Sequence, residues 1–308
     1  MLGFEQGCLN LSFHTDGFKV RVMECPGLWM SPAQQDELVA ALRQVALATL
    51  DGKDLGYGVF HDRESLRSVL ITLVRDAKDG QAAAFNAMPL LPVPLHGQEV
   101  TLQHVGLAMV HPGYQQRGLT WLLYGLTSVL LLLKNRLQPF WVSNVTQVPS
   151  VFGKACEGYQ GVFPSPRPGA RPSFDQCYLA RGLLARHRHR FGVGPEAGFD
   201  EARFVITNSY TGGSENLKKT FEQAPKHRDP AINAYCQTHL DYARGDDFLQ
   251  IGRFDLAGAR DFLLRDVPRR SLFRLSLALA YSVLAGFGVP ILLWFDTRHA
   301  LGVLRPRD

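Results

Sequence analysis

Apolar and polar residues alternate from Leu9 to Met23, the period of a half-buried strand. Ser31-Pro32-Ala33-Gln34 then opens a predicted helix running to about Leu50, with Ser31 as N-cap and Pro32 in the first turn. Runs rich in β-branched and apolar residues predict strands over 68–75, 81–91 and 99–110, the last ended by His111-Pro112-Gly113. Residues 118–134 contain WLLYGLTSVLLLL, apolar nearly all round, which predicts a buried helix. Its 13 residues are too few for a comfortable membrane crossing. Further strands are predicted over 139–143, 202–209 and 248–254, with a helix over about 230–242. Between them lie a proline-rich loop over 164–172 and a basic, helix-compatible stretch over 181–190. Adjacent strands mixed with strand-helix-strand units predict an α/β (α+β) fold, a mixed central sheet with helices on its faces.

The C-terminal pattern differs. The stretch from Leu275 to Phe295 holds 21 residues without Asp, Glu, Lys or Arg, enough as a helix to span about 30 Å of bilayer core. Arg265, Arg269, Arg270 and Arg274 precede it, a basic flank that places the preceding domain in the cytoplasm with this segment as its membrane anchor. Gly286, Gly288 and Pro290 leave a buried hairpin as the alternative. The boundary expected from this contrast separates 1–262, with a proline-rich and basic insertion over about 164–200, from 263–308.

A hydrophobic content of 46% excludes wholesale disorder, and a net charge of +5 suits anionic partners without selecting one. The five cysteines include no C-x-x-C pair, which argues against a zinc site and for free thiols in a reducing compartment. The N-terminal MLGFEQGCLNLSF lacks the basic start and long apolar run of a signal peptide. Arg186-His187-Arg188-His189-Arg190 reads as a solvated basic face. Metal binding lacks a third ligand, nucleic-acid binding lacks interleaved aromatics, and anionic lipid is the remaining alternative. Thr211-Gly212-Gly213-Ser214 lacks the Gly-Lys-Ser/Thr ending of a phosphate loop and reads as a turn, with Ser214 capping the next helix.

The candidate chemistry lies where the strand over 99–110 meets the apolar helix. The first N–H groups of a helix lack intrahelical partners and sit at its positive end, a natural place for phosphate. Gly118 lets a pyrophosphate approach the backbone, and Arg117 adds a cation. Gln115-Gln116-Arg117-Gly118-Leu119-Thr120, preceded by Val110-His111-Pro112 and Tyr114, resembles the Gln/Arg-x-x-Gly-x-Gly/Ala acetyl-CoA signature of the GNAT superfamily. It departs at Thr120, where Gly or Ala is usual.

The resemblance implies an acyl-CoA N-acyltransferase, with acetyl-CoA or another acyl-CoA as co-substrate and a small-molecule or lipidic primary amine as acceptor. It implies that main-chain groups of Met109 and Val110 pair with the pantetheine arm. Amides from Gln116 to Thr120 then hold the diphosphate. The strand after the helix splays from the central strand, leaving a slot for the thioester, and Asn144 at that strand's end contacts cofactor or substrate or merely starts the next loop. Relatives use a carboxylate on the central strand as base, but here Glu99 is the only acid on it and stands at its start. His104, which shares strand parity with Val110, is the candidate base, with a satisfied strand histidine as the alternative. Tyr159 is the candidate general acid. The missing carboxylate also leaves open a non-catalytic, membrane-associated CoA-binding module on the same fold.

Overall fold

The computed structural model describes residues 2–5, 7–271 and 273, so the stretch from Leu275 to Phe295 lies outside the described residues. Among the described residues no helix is long and apolar enough to cross a membrane. The chain divides into two compact units, Met1–Phe262 and Leu263–Asp308, and the sheet lies in the first.

Chain order gives β1 (Leu2–Glu5), β2 (Cys8–Thr15), β3 (Phe18–Glu24), α1 (Pro32–Thr49), β4 (Val69–Asp76), β5 (Ala82–Leu95), β6 (Gln98–Val105) and β7 (Leu107–Val110). There follow α2 (Thr127–Lys134), β8 (Phe140–Thr146), α3 (Pro149–Gly158), β9 (Gln160–Phe163) and α4 (Phe174–His187). Then come β10 (Gly198–Asp200), β11 (Val205–Thr207), α5 (Pro230–His239) and β12 (Asp247–Phe254). The strands join in the order β1-β2-β3-β4-β5-β6-β8-β12-β11-β10, with β7 on β5 and β9 on β12. The sheet is mixed: β6 and β8 run parallel and the other pairs antiparallel. α1 covers the first half through Leu38, Leu42 and Val45 against Phe85 and Ile71, and α4 covers the second through Leu179 and Leu183.

The alternation over 9–23 resolves into a hairpin, because Asp16 and Gly17 take φ of 48° and 84° and reverse the chain. Ser31 caps α1 as expected, and Gln34 completes a capping box. The strand expected over 99–110 breaks at Gly106. β5 pairs with β6 through Leu90↔Gln103 and with β7 through Ala87↔Leu107, so Gly106 is one residue too many on the outer strand, a β-bulge. A Cβ there would lie 2.3 Å from the Ala87 carbonyl oxygen, so only glycine fits. The bulge also breaks the parity that related His104 to Val110, since strand alternation does not carry across an inserted residue.

The bulge forks the sheet. β6 pairs with β8 only through Gln103↔Val142, His104↔Ser143 and Val105↔Asn144. Beyond Gly106, β7 pairs with β5 alone, while β8 continues to Thr146 against β12. Asn144 is therefore inside β8 and not at its end.

Helix α2 is entered through a π-helical turn, Leu122–Leu126. The cause is a buried polar node under it. Asn86 on β5 accepts the Thr72 N–H at 2.9 Å and donates to the Thr127 hydroxyl at 2.9 Å and to the Leu123 carbonyl. The Thr72 and Thr127 hydroxyls lie 2.8 Å apart. Drawing the Leu123 carbonyl towards the sheet takes it from the regular ladder, which the wider turn accommodates. Replacing Asn86 by Ala orphans these fully buried partners, so we expect a loss of about 2–3 kcal/mol in urea unfolding and a fall in thermal midpoint.

Candidate active site

A cleft of about 280 Å³ opens in the fork. Its walls come from Gly106, Leu107, Ala108 and Met109 on one side and Asn144, Val145 and Thr146 on the other. His104, Tyr124, Tyr57, Arg190, Lys219 and Asp247 also line it. The C-terminal end of β7 runs from this cleft into the turn over 111–120, so slot and turn are consecutive in the chain.

At the turn, Pro112–Tyr114 forms a 3-10 helix whose Tyr114 is buried and donates to Gln81 Oε1 at 3.2 Å. Gln116 and Gly118 both take left-handed φ, 64° and 69°. Among the described residues no acceptor pairs with the backbone N–H of Gln116, Arg117, Gly118, Leu119, Thr120 or Trp121. Open space lies where a Gly118 Cβ would stand. Leu119 and Trp121 are buried and fix the turn, whereas Gln115, Gln116, Arg117, Gly118 and Thr120 are exposed. The Arg117 guanidinium rests 5.2 Å above the Tyr114 ring. Unpaired amides at a helix start, an adjacent cation and room for a bulky group fit a diphosphate.

On β7 the main-chain groups of Val110 face the fork as expected, but those of Met109 do not. His111 N–H donates to Ala83 O at 2.9 Å, and antiparallel pairs alternate. Met109 is thus hydrogen-bonded to Phe85, while Ala108 and Val110 turn their main-chain groups towards the fork. The Val110 carbonyl already accepts from the Thr49 hydroxyl at 3.3 Å.

The two expected catalytic side chains fare differently. His104 is on the cleft wall, its Nδ1 3.0 Å from Ser143 Oγ and its ring stacked on Phe191 at 4.8 Å. Burial, reinforced by His187, pushes its pKa down to about 3, so it is a neutral imidazole and a poor proton acceptor. Tyr159 does not line the cleft. It ends α3 and packs edge-on to Phe254 at 5.9 Å, its phenol pushed up by burial. Tyr124, one turn into the helix after the turn over 111–120, does line the cleft, as do Tyr57 and Tyr210, and burial raises its pKa to about 12. Asn144 donates to Gln250 Oε1 at 3.1 Å, and Gln250 in turn donates to Pro164 O at 3.2 Å, so the Asn144 amide braces β8 against β12.

The residue that sequence reasoning missed is Asp247, the first residue of β12. It is 2% exposed, accepts from the Tyr210 hydroxyl at 2.9 Å and from Ser209, and lines the cleft. Burial raises its pKa to about 7, overriding the opposing effect of those hydroxyls. The basic stretch over 186–190 is a solvated face only in part: Arg186 and His189 are exposed, whereas His187, Arg188 and Arg190 are half-buried and hydrogen-bonded. His187 Nε2 lies 2.7 Å from Pro92 O, Arg188 donates to Leu184 O, and Arg190 Nη2 donates to Ser65 O and Ser68 Oγ. Ser214 precedes a 3-10 turn without capping it, and its hydroxyl donates to Gly192 O at 2.6 Å. All five cysteines are free, and among the described residues no group of three or more His, Cys, Asp or Glu is arranged to hold a metal.

No protein-family model and no curated protein sequence matches the chain. Solved structures do align with it. A ribosomal-protein-S5-alanine acetyltransferase from Vibrio fischeri aligns over 78% of this chain and 95% of its own, at 11% identity and a TM-score of 0.32. A probable acetyltransferase of the GNAT family from Chromobacterium violaceum aligns over 48% and 73%, at 15% identity and a TM-score of 0.28. A probable N-acyltransferase from Enterococcus faecalis aligns over 77% and 66%, at 11% identity and a TM-score of 0.35.

Proposed function

We propose that the chain is an acyl-CoA-dependent N-acyltransferase of the GNAT type, using acetyl-CoA or a related acyl-CoA and a primary amine. The observation that carries this reading is the continuity of unpaired helix-start amides with a forked-strand slot. The Gln116 to Thr120 amides receive the diphosphate and Arg117 supplements them. Ala108 and Val110 offer main-chain groups to the extended arm, which leads the thioester to the fork at Gly106.

In the reaction the amine nitrogen attacks the thioester carbonyl, a C–N bond forms, the C–S bond breaks and CoA leaves as thiolate. The nitrogen must lose a proton and the sulfur must gain one. We assign the first to Asp247, which lines the cleft and whose carboxyl burial raises to about 7. Of the cleft tyrosines Tyr57, Tyr124 and Tyr210, the last donates to Asp247, and we assign the second proton to Tyr124, which follows the turn over 111–120 in the chain. A covalent acyl-enzyme route finds no support in Cys156, which does not line the cleft and whose thiol burial pushes up to about 11.

Calorimetric titration with acetyl-CoA tests the reading. Wild type should bind, and Gly118→Glu, which puts a carboxylate into the open space beside the amides, should weaken binding at least about tenfold, or about 1.4 kcal/mol. Gly118→Ala carries the strain of φ +69° without the charge and serves as the comparison. Equal, absent binding by all three proteins overturns the proposal.

A further inference from the structure

We infer that the acceptor is a zwitterionic small molecule, a primary amine that carries an anionic group, held with its nitrogen at Asp247 and its anion at Arg190 and Lys219. This rests on the acyltransferase reading and adds the acceptor class to it. Both cations line the same cleft as Asp247. They come from the second half of the chain, apart in sequence from the turn over 111–120 assigned to the donor.

Arg190 is held rigidly. Its Nη2 donates to Ser68 Oγ at 2.9 Å and to Ser65 O at 3.1 Å, both fixed by the chain just before β4. Its Nε is buried without a partner, and burial lowers the pKa of the guanidinium. Asp62 and Glu64 act on it from a distance, but among the described residues no carboxylate oxygen comes within 4.0 Å of it. Lys219 likewise has no ion-pair partner among the described residues. A part-buried guanidinium with no carboxylate beside it carries a charge that an anion in the cleft would offset. The opposite charge in the cleft is Asp247. One carboxyl able to take a proton and two unmatched cations in one slot complement a molecule bearing both an amine and an anion. A plain alkylamine would leave the cations unmatched.

Lys219 is only half-buried, so Lys219→Met is the variant least exposed to misfolding, and Lys219→Arg retains its charge. Two measurements on the full chain are needed. The first is turnover with acetyl-CoA, read as CoA thiol release, over matched panels: free α- and ω-amino acids, phosphoethanolamine, and the corresponding amino amides and alkylamines. The second is calorimetric binding of the same compounds to the acetyl-CoA-free protein. Zwitterions should exceed their neutral-tailed analogues by at least about a hundredfold in kcat/KM or Kd, and the panel shows whether carboxylate or phosphate is preferred. Lys219→Met should cut that preference about tenfold, Lys219→Arg should restore most of it, and acetyl-CoA affinity should be unchanged in both. Equal use of alkylamines and zwitterions, or a preference indifferent to Lys219→Met, overturns the inference even if acetyl-CoA binds and reacts. Zwitterion binding that depends on Lys219 supports it even if acetyl-CoA does not bind, so the two readings fail separately.

Discussion

Replacing Asp247 by Asn is expected to lower kcat by about 10²–10⁴, the range that positioned proton transfer contributes, with little change in acetyl-CoA affinity. The side chain keeps its size and can still accept from Tyr210, so the site's shape survives while its proton acceptor is gone. The wild-type profile of kcat/KM should climb as pH rises through about 7, where the carboxyl deprotonates, and this limb should vanish in the variant. Stability separates the effect from misfolding. The folded-state pKa is raised above the unfolded value, so Asp247 favours the fold when protonated and burdens it when charged, as pH rises through about 7. The amide of the variant cannot acquire that charge, so its thermal midpoint above pH 7 should not fall below that of wild type. An unaltered kcat with an intact acidic limb would remove Asp247 from the chemistry.

A valine in place of Gly106 should be nearly as damaging, through geometry. Its Cβ would stand 2.3 Å from the Ala87 carbonyl oxygen and 2.9 Å from Pro89 Cδ, both attached to the paired strand β5. Relief requires β5 and the β6–β7 strand to part where the slot begins. Overpacking of this kind costs about 1–3 kcal/mol, and a displacement near 1 Å at a reacting centre costs about a hundredfold in rate. Thermal melts and kcat/KM measured together should both fall, with acetyl-CoA turnover more affected than far-ultraviolet circular dichroism. A variant with wild-type melting and turnover would mean that the bulge does not shape the slot.

Much of this site is written in local pattern. The apolar stretch over 118–134, the Pro112-Gly113 break and the turn residues are contiguous, and each element depends on neighbours a few residues away. The structure accordingly finds a strand, an open turn and a helix in that order, the helix buried at its start but with Leu130 and Leu131 half-buried and Leu133 exposed towards its end. What could not be read depends on pairing between distant segments. The extra residue at Gly106 emerges only when β6 and β7 are both registered on β5, and the parity linking His104 to Val110 fails with it. Asp247 follows Asp246 at the start of an apolar strand, a position that reads as a loop end. Only the pairing of β12 with β8 carries it to the fork. Closeness in sequence to Asn144 singles out Tyr159, but α3 intervenes and turns it into the apolar cluster around Phe254. Arg190 reads locally as one of several surface cations, whereas its partners at Ser65 and Ser68 lie more than 120 residues away.

The parting of β7 from β8 divides labour along the chain. In the proposed assignment every group given to the thioester's carrier precedes residue 125, while the carboxyl and the cations lie after residue 189. The proposal therefore gives the two reactants separate stretches of polypeptide that come together where the strands diverge. Exchanging the segment that bears Arg190 and Lys219 for another of equal length should retarget the enzyme to a different amine without disturbing its grip on the nucleotide.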